Sequence, residues 1–165
     1  MGFAYSTASW GNFFVAEVGA SAALVGLLFV AVSINLTKII QYPALPGRAF
    51  EALTVLVMVL LVATFALVPG QSSTPLGIEV SIVATSVWAT TIVIQYRAPK
   101  ERDAPRSWMI SRVAGTQVAT LPMIVAGCSL IVERGGGLYW VVVSAVASFL
   151  AALVDAWVLL VEIQR

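Results

Sequence analysis

The chain has 165 residues, 60% of them apolar, with 9 basic and 8 acidic residues and no histidine. An ordinary soluble domain is about 25% charged, and the 10% here is too little to cover a globule of this size with a wetted surface, which excludes a soluble enzyme, a disordered tail and a nucleic-acid binder. The lone Cys128 and the lack of histidine exclude an intrachain disulfide, a Cys-based cluster, histidine-ligated metals and Ser–His chemistry.

Charges divide the chain into long uncharged runs, and a helix needs about 20 residues, within roughly 17–25, to cross the hydrocarbon core. The first run, 20 residues between Glu17 and Lys38, predicts a helix over Trp10–Thr37. Its aromatic start suits the headgroup zone, so Glu17 is expected near the outer boundary. Gly19, Ala22, Ala23 and Gly26 form one small-residue side of this helix, and Glu17, Ser21, Leu24, Leu28, Ala31 and Asn35 line another. The 27 uncharged residues between Glu51 and Glu79 contain a Pro69-Gly70 turn, and they predict a second helix over Ala49–Val68. A third is predicted over Leu76–Tyr96, with Glu79 at its outer mouth and the hydroxyls Ser81, Thr85, Ser86, Thr90 and Thr91 along it. Such hydroxyls ordinarily bond back to their own helix, so a structural role is expected for them.

Residues 97–107 form the one sizeable wet loop, and its two prolines keep it out of helix. Its basic residues suit docking to anionic lipid, at about 1 kcal/mol each, although fixing topology is the simpler role. The fourth helix is predicted over Trp108–Val132. It has Arg112 near its start, small residues at Gly115, Ala119, Ala126 and Gly127, and a mid-helix Pro122 that predicts a kink. A Gly135-Gly-Gly turn leads to the fifth helix, Leu138–Ile163, where Ser144, Ser148, Ala152 and Ala156 recur at intervals of four beside Asp155. In lipid no hydrophobic force draws helix to helix, so small residues mark close approach. On that ground Gly19, Ala23, Gly26, Gly115, Ala119, Ser144, Ser148 and Ala152 are the packing candidates. A charge at the centre of a span costs roughly 2.5–3.5 kcal/mol on insertion scales. Arg112 and Asp155 lie near the same end of two consecutive helices, so a salt bridge between them, direct or through a water, is expected.

Of the nine basic residues, Lys38, Arg48, Arg97, Lys100, Arg102, Arg106, Arg112 and Arg165 fall on one side of a five-span arrangement, and only Arg134 falls on the other. Positive charge marks the cytoplasmic side. The expected architecture is therefore all-α: a single domain over 1–165, a polytopic membrane bundle of five transmembrane helices, N-terminus outside and C-terminus cytoplasmic. The expected location is a plasma membrane, of bacterial inner-membrane type on the arginine-rich and alanine-rich composition.

No phosphate-binding glycine loop, no Gly-x-Ser-x-Gly elbow and no carboxylates three or four apart on one predicted helix are present. Cys128 has no histidine to activate it. Neither an enzyme nor a cofactor or metal is expected. The expected function is a non-catalytic homo-oligomer or an accessory subunit of a membrane assembly, with membrane lipids and other membrane subunits as partners and no nucleic acid. The alternative is a small oligomeric ion channel or proton-coupled transporter that uses the intramembrane polar residues Arg112, Asp155, Glu17, Asn35 and Glu79.

Overall fold

The computed structural model describes residues 2–43, 45–98 and 106–160, leaving out the side chains of 106–109, 111 and 158–160. Over the described residues the chain is all-helical, with no strand. Two short 3-10 turns, Phe3–Tyr5 and Thr7–Trp10, lead into α1 (Gly11–Ile34). The single turn α2 (Leu36–Ile39) follows, then α3 (Leu45–Ala66), α4 (Ser73–Arg97), α5 (Arg106–Val132) and α6 (Tyr139–Leu160). All but α2 are long and apolar enough to cross a membrane.

The helix ends depart from the sequence expectation for identifiable reasons. α1 stops at Ile34, short of Thr37, because Asn35 leaves helical geometry at φ −100 and ψ 11. Its amide donates to the Ala31 carbonyl at 3.2 Å, the local competition with backbone bonding that asparagine offers. α3 begins at Leu45, four residues before Ala49. Pro46 fits there, since a proline in the first turn has its φ preset and loses no helical hydrogen bond. Arg48, expected in a loop, is therefore helical and stands within one turn of Glu51. α4 likewise begins early, at Ser73, with Pro75 in its first turn.

α5 runs through Pro122 as one helix. The carbonyl that Pro122 deprives of its donor is that of Val118; on the next carbonyl, that of Ala119, the Ser144 hydroxyl of α6 donates across the interface. Between α5 and α6, Glu133, Gly135, Gly136 and Gly137 all take positive φ (54, 90, 109 and 50). Glycine enters that region without steric cost, so three glycines allow the chain to reverse in so few residues. The N-terminal turns close over this reversal. Leu138 N–H donates to the Ala4 carbonyl at 2.9 Å, and Gly136 N–H donates to the Tyr5 hydroxyl at 3.1 Å.

α3 is the central helix, with 56% of its span buried against 17% for the α1 span. It packs against α1, α4 and α6, while α5 packs against α4 and α6. Two cores follow from this arrangement. One joins Phe14, Met58, Val62, Leu76, Met123 and Leu138, from the start of α1 to the start of α6. The other joins Leu28, Ile39, Ala49, Leu56 and Ala152, from the end of α1 to the later turns of α6. α4 and α5 touch backbone to backbone. A Cβ at Gly77 would stand 2.8 Å from the Gly127 carbonyl oxygen, and one at Gly127 2.8 Å from Ser81 N.

Candidate functional site

Four ionisable residues of the bundle gather where α3 begins. Arg48 and Glu51, three apart, share one side of its first turns, and both face partners on other helices. Arg112 Nε on α5 donates to Glu51 Oε2 at 2.7 Å. Arg48 Nε donates to Asp155 Oδ1 on α6 at 2.6 Å. The expected Arg112–Asp155 bridge is thus replaced by two bridges, each with one end on α3. The cause is the position of α3, whose first turns carry Arg48 and Glu51 to the ends of α6 and α5; the early start at Leu45 is what makes Arg48 helical. Arg112 and Asp155 remain within electrostatic reach of one another.

Among the described residues two carboxylates and two guanidiniums balance in the cluster. Taking such groups out of water costs several kcal/mol per ion, and pairing plus hydrogen bonding offsets it. The side chains of Arg48, Arg112 and Asp155 keep 16%, 18% and 19% of their surface, whereas Glu51 keeps 5%. Glu51 is therefore the member that depends most on its partner. Polar neighbours extend the cluster: Gln95 Nε2 on α4 donates to Thr116 Oγ1 at 3.1 Å, and that hydroxyl donates to the Arg112 carbonyl. Two buried atoms in the cluster have no hydrogen-bond partner, Glu51 Oε1 and Arg112 Nη2.

The other polar candidates stand apart. Glu17 is half-buried on α1, and its Oε2 has no hydrogen-bond partner. Asn35 is spent on its own helix. Glu79 accepts from Gln71 at 2.6 Å, and Glu133 accepts from Ser73, both at the far end of the bundle. On α4, the hydroxyls of Ser81, Thr90 and Thr91 donate to carbonyls of their own helix. Thr85 and Ser86 face outward. Trp88 Nε1 donates to Gln117 Oε1 on α5 at 2.9 Å, a mid-span bond between helices.

The packing candidates divide into two sets. Ala119, Ser144, Ser148 and Ala152 are buried, with Ser144 bonded across to α5. Gly19, Gly26 and Gly115 are different, since a Cβ built on any of them meets nothing within 4 Å, and Ala23 is exposed. The anionic-lipid site expected at 97–107 falls largely on residues 99–105, outside the described residues.

Sequence reasoning missed Arg48, Glu51, Gln95 and Gln117 as partners. Glu51 served only to mark the edge of an uncharged run. The signal that points to it is a helix-start pattern, Pro46 followed by an i, i+3 Arg–Glu pair. No protein-family model matches the chain, and no curated protein or solved structure shows significant similarity to it. What the cluster does chemically rests on its own geometry. It ties α5 and α6 to α3 through charge-assisted bonds and borders a small space between the three helices.

Proposed function

We propose that the chain is a multi-pass membrane protein, N-terminus outside and C-terminus cytoplasmic, that acts as a homo-oligomeric or accessory subunit of a membrane assembly. The observation that carries this reading is the outward side of α1. Gly19, Ala20, Ala23 and Gly26 all lie exposed there, and the two glycines have open space where a side chain would be. The opposite side of α1 is occupied within the chain through Phe14, Ser21, Leu28 and Ala31. Small residues in lipid let a second helix approach closely, and this stripe offers such an approach without a partner among the described residues.

The orientation is supported by charge. Lys38, Arg48, Arg97 and Arg112 lie at one end of the bundle and Arg134 at the other, and basic residues favour the cytoplasmic side. In this reading the charge cluster is a clamp near the cytoplasmic end that keeps α3, α5 and α6 in register. The channel alternative draws less support, because the α4 hydroxyls are bonded to their own helix or face outward.

The test is the particle mass of the protein extracted in native lipid without detergent. A mass above that of a single 17.5 kDa chain is expected. Ala23→Leu, which fills the outward stripe, is expected to reduce it to one chain without lowering the unfolding midpoint. A wild-type protein that is monodisperse as a single chain contradicts the proposal.

A further inference from the structure

Beside the clamp, a chamber of about 20 Å³ opens between α3, α5 and α6, bordered by Glu51, Val55, Thr116, Ala119, Ala152 and Asp155. Its polar residues come from three helices, one from each, and its remaining border is small and apolar. By the same measure of volume a water molecule needs about 10–15 Å³, together with two to four polar partners. Glu51 is 4% exposed, and its Oε1 is buried with no hydrogen bond. An orphaned carboxylate oxygen at such a depth is costly unless a donor reaches it.

From this geometry we infer that the chamber is a binding site for one water molecule, which donates one hydrogen to Glu51 Oε1 and the other to the Asp155 carboxylate, with Thr116 on its border. The ligand class follows from size and charge. Among the described residues each carboxylate is already bonded to an arginine, so a metal cation finds no uncompensated charge there. A chamber this small admits nothing much larger than water. The bound water converts two separate ion pairs into one hydrogen-bonded network, Arg112–Glu51–water–Asp155–Arg48. Both of its ends are fixed by bonds that are present without it.

The direct test is a structure of the full chain in lipid at a resolution that shows ordered water. Density is expected within about 2.6–3.2 Å of Glu51 Oε1. The independent readout is infrared spectroscopy of the protein in H₂¹⁶O and H₂¹⁸O. The wild type is expected to show an isotope-sensitive O–H band of a strongly bonded internal water. The band is expected to vanish in Ala152→Val, which fills the chamber, and to shift in Glu51→Gln. An empty chamber, with Arg112 Nη2 turned onto Glu51 Oε1 to make a two-pronged pair, overturns the inference. So does a wild-type spectrum with no such band, a measurement that needs no variant to fold.

Discussion

A methyl group added at Gly127 tests the closest packing in the bundle. There the new Cβ stands 2.8 Å from Ser81 N and 3.0 Å from the Gly77 carbonyl oxygen, against 3.4 Å where ordinary contact begins. The Ser81 hydroxyl also stands in the way, but these two are backbone atoms, so a rotamer change relieves only part of the clash, and α4 and α5 must part by about half an ångström. Overpacking of this kind costs typically 1–3 kcal/mol, while replacing glycine by alanine within a helix returns about 0.5–1 kcal/mol. A net loss of roughly 1–2 kcal/mol is expected for Gly127→Ala, a factor of about 5–30 in the folded-to-unfolded ratio. Gly115→Ala on the same helix meets no atom within 4 Å and keeps only the gain, so it is expected to be neutral or stabilising by up to about 1 kcal/mol. Reversible unfolding in mixed micelles or bicelles, with both variants measured beside wild type, gives the comparison. Adding Ser81→Ala to Gly127→Ala removes the hydroxyl but not the backbone clash, and so leaves most of the loss in place. Equal stabilities for Gly127→Ala and Gly115→Ala would refute the close approach.

Gly137→Ala puts a Cβ 2.8 Å from the Tyr5 ring and against the Ala4 carbonyl, at a φ of +50. It is expected to release the N-terminal turns, read as faster amide exchange at Leu138 and earlier proteolysis before Trp10. Ser144→Ala removes the bond to the Ala119 carbonyl and is expected to cost about 0.6 kcal/mol, the average for hydrogen bonds between membrane helices. For topology, a Cys128→Ser background with Lys38→Cys is expected to react with an impermeant thiol reagent only from the cytoplasmic side. The same background with Ser72→Cys is expected to react only from outside, and the reverse pattern refutes the orientation.

Much of this architecture is legible in the sequence because charge is so scarce. Runs of about 20 uncharged residues have one economical solution in lipid, and all five appear as helices long and apolar enough to span. The start of α3 was hidden because Pro46 and Arg48 read as a polar loop by hydropathy, whereas they form the first turn of the helix that Glu51 already belonged to. That boundary bears on Arg48, the partner of Asp155, and the placement of α3 decides the partner of Arg112. Chain order suggests that α5 and α6 face each other and pair their charges directly. They do pack together, but α3 lies against α6 and brings Glu51 to Arg112, a neighbour relation that no local pattern encodes. The glycine spacings in α1 mark a surface suited to close approach without saying which side the chain itself covers. Gly77 stands in a row at intervals of four with Ser73, Ser81 and Thr85, but Ser81 and Thr85 read first as hydroxyls, so the contact with Gly127 was visible only once α4 and α5 were placed together.

Central to this account is the claim that α3 takes both charge partners, and a set of double-mutant cycles among Arg48, Glu51, Arg112 and Asp155 tests it most directly. Coupling of about 1–3 kcal/mol is expected for Arg112 with Glu51 and for Arg48 with Asp155, in the range for groups in one buried network but reduced by their partial exposure. Alanine at Arg112 is expected to cost more than alanine at Glu51, since it strands the acid that has least access to water. For Arg112 with Asp155 the coupling is expected to be smaller than for either direct pair. A dominant Arg112–Asp155 coupling, with the two α3 pairs additive to within about 0.5 kcal/mol, would contradict it.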